Sequence, residues 1–423
     1  MTISEIDQKY LWHPYTQHKT AKPAIAIVRG QGALLWDENG NEFIDGIASW
    51  WVNPFGHSNA FIAAAIFKQL TTLEHVLFGG FTHTPAAKLA EKLMEILPKN
   101  QKKIFFSDNG STAVEVALKV SMQFYHNQNI KKTKFIAFED AFHGDTFGAM
   151  ASSGISFFTE AFKGSLINVE RIPVPFAANE DHVLSLLQEL VETNDYAAFI
   201  FEPLVQGAAG MIMYEAAVLD KMIAICRKNN VLTIADEVMT GFGKTGKTFA
   251  TDYLTEKPDI MCLSKALTGG TIPMAITTFT KEIFDAFYDN DLNKALFHGH
   301  TFTANPTGCA AALASLTLLE TQETKNNIVR INNSHLDFQN YIKNHKKVKT
   351  TRVLGVIFAL EIKIEGKAEY YGSLRNKLYA FFIENGIILR PIGNVIYILP
   401  PYIILESQLQ KIYKIVEAAL EIA

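Results

Sequence analysis

The feature that most constrains this chain is an alternation that runs from Lys103 to Phe279. Short runs rich in β-branched and aromatic residues, KIFFSD, TKFIAFED, AAFIFEP, VLTIADEV, DIMCLSK and PMAITTF, are separated by longer amphipathic stretches such as STAVEVALKVSMQFYH and EAAVLDKMIAICRKNN. Runs that are apolar throughout, rather than at every second residue, suit strands covered on both faces. The pattern predicts an α/β fold whose large domain is built on a mainly parallel sheet. Ligands of such sheets collect outside the carboxyl ends of the strands. Here those ends are Asp108 to Ser111, Glu139 to His143, Glu202, Asp236 and Lys265.

After the helical segment that follows Cys309 the character changes. VLGVIFALEIKI reads as a strand, LRNKLYAFFIENG as a helix stopped at Gly386, IILRPIGNVIYILPPY as a further strand, and a last helix begins at Glu406. This predicts a small α+β domain. The N-terminal stretch to about Asp45 contains ALLWDENGNEFIDG, whose Asn-Gly pair marks a hairpin able to join that domain. The expected division is residues 1–48 as an N-terminal part of the small domain, 49–315 as the large domain and 316–423 as the C-terminal small domain. No repeat or low-complexity linker interrupts the chain.

Composition narrows the partners. With 39 Lys+Arg against 43 Asp+Glu the formal charge is −4, and no basic run exceeds two residues. Neither a nucleic-acid backbone nor an anionic lipid surface has a footprint here. The first twenty residues lack the layout of a secretory signal, and no apolar run of about 18 residues suggests a membrane span. Cys226, Cys262 and Cys309 are odd in number and far apart, which fits neither disulfides nor a zinc site. A cytoplasmic enzyme acting on small molecules, with no metal, is the expectation.

Three strand ends carry distinct chemistry. Asn109-Gly110-Ser111-Thr112 follows KIFFSD and opens a helix, with Thr112 and Glu115 spaced as a capping box. Free N–H groups there can cradle a phosphate, and Gly110 lets backbone approach closely; taken alone, an ordinary capped helix is the commoner explanation. Asp236 puts a carboxylate among apolar neighbours and needs a cationic partner, either a structural ion pair or a protonated heterocyclic nitrogen. Lys265 sits where DIMCLS ends and a flexible Gly269-Gly270 turn begins, as a solvated loop lysine or as an amine that condenses with an aldehyde. Residues 241–248, GFGKTGKT, fit the phosphate-loop pattern, yet the strand ends too early and no long helix follows, so the context for a nucleotide hydrolase is missing.

A phosphate cradle, a carboxylate for a ring nitrogen and an amine for an aldehyde are the three handles of pyridoxal 5′-phosphate, and Phe142 beside His143 offers its ring a face. The segments ADEVMTGFGKTGK, LSKALTGG and HTFTANP resemble the class III, fold-type I, pyridoxal-phosphate-dependent aminotransferases over nearly the whole chain. HPYTQ, SWWVNPFGH, AFHGDTFGAM, EPLVQGAAGM and ILRPIGNVIYILPPY further resemble the branch of that class that converts 8-amino-7-oxononanoate to 7,8-diaminononanoate in biotin biosynthesis, with S-adenosylmethionine as amino donor.

The resemblance implies that Lys265 carries the cofactor covalently and shuttles a proton, and that Asp236 keeps the ring nitrogen protonated. Gly110 and Ser111 would hold the phosphate and Phe142 would stack on the ring. Thr301, with His300 beside it, would complete the cofactor site from the neighbouring subunit of a homodimer whose active sites lie at the interface. Tyr15, Trp50, Trp51, Phe142 and Gly299 would contact substrate, and the planar guanidinium of Arg390 would receive a carboxylate. Four positions depart from the family's habit. Phe142 stands for Tyr, His300 for Pro and Lys244 for Arg. Met239 replaces the Gln of ornithine- and aminobutyrate-type relatives. The amino donor stays open, lysine being an alternative, as does a class III ω-aminotransferase acting on a diamine or ω-amino acid.

Overall fold

A computed structural model describes residues 1–154, 156–366, 370 and 372–423. In chain order the strands are β1 (Ile27–Gln31), β2 (Leu34–Asp37) and β3 (Glu42–Asp45), then β4 (Gln101–Ser107), β5 (Lys134–Phe138), β6 (Val169–Ile172) and β7 (Tyr196–Phe201). A short hairpin, β8 (Val205–Gln206) and β9 (Ile212–Met213), precedes β10 (Leu232–Asp236), β11 (Ile260–Leu263) and β12 (Ala275–Thr280). The C-terminal region adds β13 (Val348–Leu354), β14 (Ile357–Ile362), β15 (Ile387–Ile388) and β16 (Val395–Ile398).

The large sheet has seven strands in the order β4-β12-β11-β10-β7-β5-β6. Strands β5, β6, β7, β10 and β11 pair in parallel, whereas β12 is antiparallel to both of its neighbours. The mainly parallel sheet is thus as expected, with one reversed strand where PMAITTF lies. Burial on both faces explains the unbroken apolar runs. Along β7, Phe199 and Phe201 enter one core layer while Ala198 and Ile200 enter the other. Strand β6, VERI, was missing from the expected set. It is the edge strand, so its Glu170 can face water and it lacks the apolar continuity of a central strand.

The hairpin β2-β3 forms as expected, and β3 pairs in parallel with β15, Ile44 beside Ile387 and Asp45 beside Ile388. The small domain is therefore assembled from both ends of the chain. The segment VLGVIFALEIKI is two strands rather than one. It folds back at Gly355 (φ +60°), and β13, β14 and β16 make a three-stranded antiparallel sheet. A turn residue inside an otherwise continuous apolar run carries little periodic signal. The helix Ser373–Glu384 ends before Gly386 (φ +69°), as its sequence indicates, and the last helix spans Glu406–Ile422. The helix Pro306–Glu320 runs across residue 315 and ends at Thr321.

Gly355 has no room for a side chain. A Cβ there would lie 2.3 Å from the Gly246 nitrogen and 2.5 Å from the Lys244 carbonyl oxygen, while the Val356 N–H donates to that same oxygen at 2.9 Å. The β13-β14 turn thus docks on the 241–246 loop. Gly355→Ala should lower stability by about 3 kcal/mol, from positive-φ strain together with overpacking. A denaturant midpoint equal to wild type would contradict this docking.

Candidate active site

A cavity of about 610 Å³ opens at the carboxyl ends of the parallel strands. The turns after β4, β5, β7, β10 and β11 bring Gly110 and Ser111, Phe142 and His143, Glu202, Asp236, and Lys265 to its walls. These are the strand ends singled out from the sequence, brought together by the parallel topology.

At the end of β4, Asn109 caps the helix Gly110–His126. Its side chain accepts from the Thr112 N–H at 3.0 Å, and the Thr112 hydroxyl accepts from the Asn109 N–H at 3.2 Å. The capping box is Asn109 with Thr112, not Thr112 with Glu115. Glu115 instead accepts from the Gly148 and Ala149 N–H groups at 2.7 and 3.1 Å, serving the start of the helix Phe147–Ser152. The cradle is closely built. A Cβ on Gly110 would meet Val238 Cγ1 at 2.7 Å, and one on Gly144 would meet Ser111 Oγ at 2.2 Å. Ser111 Oγ accepts from the Asp145 N–H at 3.1 Å.

Asp236 ends β10 and is buried. A hydrogen-bonding partner for the buried carboxylate is present in the chain: Oδ2 lies 2.7 Å from His143 Nδ1, and Oδ1 accepts from the Val238 N–H at 3.0 Å. His143 is held in turn by its own N–H on Ser153 Oγ at 2.9 Å, and its Nε2 is buried with no partner among the described residues. Glu202, just past β7, accepts from the Phe142 N–H at 3.0 Å and from the Gly207 N–H at 2.9 Å. Burial, followed by the nearby Asp236, pushes its carboxyl up to about 7, against the opposing pull of His143.

Lys265 starts a 3-10 turn (Lys265–Thr268) with φ +47°, a left-handed conformation that a lysine seldom adopts. The turn is packed rather than flexible: Ala266, Leu267 and Thr268 are buried, and Ser315 Oγ donates to the Ala266 carbonyl at 3.0 Å. The amine sits 4.4 Å from the centroid of a Trp51 ring. Burial pulls its pKa down to about 8, with Asp236 and Glu202 opposing the shift.

Residues 241–248 form turns after β10, with no helix at Lys247-Thr248, so the phosphate-loop pattern has no structural counterpart. Lys244 is buried and donates to the Gly241 carbonyl at 3.2 Å.

The two tryptophans separate. Ala48, Ser49, Trp50 and Trp51 all have positive φ (47°, 47°, 69° and 74°), a left-handed turn built without glycine. Asp45 holds it, accepting from the Ile47 N–H at 3.1 Å and the Ser49 hydroxyl at 2.8 Å while contacting His57 Nε2 at 2.9 Å. Trp51 turns into the cavity wall, whereas Trp50 is exposed and carries the Arg390 guanidinium 4.7 Å from its ring centroid. Arg390 has no hydrogen bond or ion pair within the described residues. Tyr15 packs edge-on to Trp50 at 5.7 Å and donates its hydroxyl to Asp145. Gly299, His300 and Thr301 do not line this cavity; they precede the helix Pro306–Glu320 in a largely exposed loop.

Two contributors escaped the sequence reading. Asp45 was legible only as a strand end. Phe158 contacts Phe142 at 5.9 Å, Tyr15 at 5.6 Å and Tyr370 at 5.3 Å, and carries no motif of its own. The depressed basicity of Lys265 is directly measurable. In the cofactor-free chain, labelling by an amine-directed acylating reagent followed by peptide mapping should show Lys265 modification rising through a midpoint near pH 8. A midpoint above pH 10, as for a solvated lysine, would refute the effect of burial.

Residues 15–420 match the aminotransferase class-III family. The chain is 42% identical to an adenosylmethionine-8-amino-7-oxononanoate aminotransferase of Synechococcus elongatus over 97% of its own length and 98% of the relative's. Among solved structures, the adenosylmethionine-8-amino-7-oxononanoate aminotransferase of Methanocaldococcus jannaschii superposes with a TM-score of 0.94 at 35% identity, covering 100% of this chain and 99% of that one. An omega transaminase from Pseudomonas jessenii in complex with PMP gives the same TM-score at 28% identity, covering 100% and 98%. By the extent of its sequence match and the agreement of its fold, this chain belongs to the class III aminotransferases.

Proposed function

We propose that the protein aminates 8-amino-7-oxononanoate to 7,8-diaminononanoate in biotin biosynthesis, taking the amino group from S-adenosylmethionine. The observation that carries this reading is the Arg390 guanidinium, free of any carboxylate in the described residues and stacked on Trp50, whose chain neighbour Trp51 lines the cavity together with an amine of lowered basicity. An acceptor with a carboxylate at one end and a ketone some distance away suits that pairing. The substrate names of the full-length relatives support the same choice.

Pyridoxal 5′-phosphate, the cofactor of this class, supplies when bound an aldehyde that takes up and returns amino groups and a ring that withdraws electrons. The residues present fit it. The glycine-lined cradle at residues 110 and 144 leaves backbone N–H groups for a phosphate. Asp236 presents a carboxylate for a ring nitrogen, and His143 orients that carboxylate. The Phe142 side chain offers an apolar face. Lys265, with its amine near neutrality in basicity, would hold the aldehyde and afterwards take and return a proton at Nζ as base and acid in turn. Trp51 and the packed 266–268 turn confine that amine on the side away from the cavity.

Gly299, His300 and Thr301 fit a role in the partner subunit's cavity. They do not line their own, and Phe297 and Phe302 around them expose apolar rings suited to a homodimer interface. No helix among the described residues is long and apolar enough to cross a membrane, and work in the cytoplasm fits the near-neutral surface.

Two outcomes test the reading. The pyridoxamine form, mixed in single turnover with 8-amino-7-oxononanoate, should regain the absorbance of the lysine-bound cofactor; recovery only with other oxo acids or aldehydes would indicate an ω-aminotransferase of diamines or ω-amino acids. Arg390→Ala should raise KM for the carboxylate acceptor about 10- to 100-fold, the loss of a charge-assisted pair, with a smaller change in kcat. An unchanged KM would remove Arg390 from acceptor binding.

A further inference from the structure

We infer that Glu202 is a positioning residue: one carboxylate ties together the two backbone segments that flank the reacting centre and supplies a second negative charge beside Asp236. The inference rests on the reading of the cavity as a pyridoxal-phosphate site.

Its basis is geometric. Glu202 is buried, and its two oxygens go to different segments. Oε1 accepts from the Phe142 N–H at 3.0 Å, in the turn after β5, and Oε2 accepts from the Gly207 N–H at 2.9 Å, in the β8-β9 hairpin. Phe142 carries the ring that lines the cavity, and the next residue, His143, bonds Asp236. Gly207 lies under Trp51 and Met239: a Cβ on it would sit 3.4 Å from Trp51 Cη2 and 3.0 Å from Met239 Cε. The Tyr214 hydroxyl fixes Glu202 from behind by donating to its carbonyl at 2.5 Å. A single side chain therefore sets the separation of both cavity walls. A glutamine cannot replace it, because its amide offers one acceptor oxygen and one donor nitrogen where two N–H donors converge.

The charge matters as well. Facing Glu202 are His143 on the turn after β5, Asp236 at the end of β10, Lys265 after β11 and Tyr214 after β9. A Glu202 anion favours the cationic form of Lys265, as it does that of His143. Removing the anion must lower the pH at which protonation at Lys265 Nζ is lost, whether the amine is free or carries the cofactor.

The test is a spectrophotometric pH titration of the holoenzyme, wild type against Glu202→Gln and Glu202→Asp. In Glu202→Gln the midpoint of the absorbance change should fall by about one pH unit. Glu202→Asp keeps the charge but shortens the reach, so its midpoint should stay near wild type while cofactor dissociation quickens. Yellow Glu202→Gln protein titrating at the wild-type midpoint would overturn the inference and leave the cofactor reading intact; colourless wild-type protein would overturn both. Should Glu202→Gln not fold, infrared difference titration of the wild-type holoenzyme decides. A protonated carboxyl band that disappears through the neutral range, over the interval in which the visible transition broadens, supports the assignment. A single-site visible transition without such a band refutes it.

Discussion

A carboxylate buried at the end of a strand is the constraint on which the rest of this molecule depends. Asp236 lies under an apolar sheet edge, where an unpaired charge would cost several kcal/mol, on the order of the desolvation of one ion. Its pairing with His143 forces the turn after β5 to close over the end of β10. Beside that contact, Glu202 accepts from the Phe142 N–H, and Asn109 caps the helix at Gly110. The parallel order of the strands makes the convergence possible, because it places every one of these turns at the same edge.

The site also stores strain. Four successive residues, Ala48 to Trp51, and Lys265 occupy left-handed backbone, at about 1 to 2 kcal/mol each for residues with a Cβ. Hydrogen bonds to the buried Asp45 carboxylate offset part of this at residues 47 to 49. The return is a division of labour between adjacent side chains. One tryptophan covers the lysine, and the other, exposed, carries a guanidinium. Regular helix or strand geometry would not direct two consecutive rings to these places.

The small domain does more than cover the sheet. Its β13-β14 turn presses on the 241–246 loop through Gly355, and the Tyr402 hydroxyl donates to the Phe242 carbonyl at 2.7 Å. The segment that mimics a phosphate loop is thereby a docking strip for the C-terminal part of the small domain. Lys244 is turned inward there to the Gly241 carbonyl instead of toward a phosphate. Arg390, which follows β15, reaches Trp50 because that strand pairs with β3, directly ahead of the tryptophan turn.

Sequence alone determined the local and periodic facts: which runs are strands buried on both faces, where helices stop, and that phosphate, carboxylate and amine chemistry stands at strand ends. These follow from composition and spacing within a few residues of one another, so they are legible without a fold. The edge strand β6, the reversed direction of β12 and the turn at Gly355 were not, since each depends on what lies beside it in space; the cap of Asn109 on Thr112 is local, but its spacing competed with that of Thr112 and Glu115. Spatial neighbours also decide the partner of Asp236, the parting of Trp50 from Trp51, the two-sided grip of Glu202 and the place of Phe158. Most of those are contacts between residues distant in the chain, such as Phe142 with Glu202 and His143 with Asp236, or choices of backbone sign, and tertiary packing sets them, because the energy that selects them comes from desolvated groups finding one another after the sheet has formed.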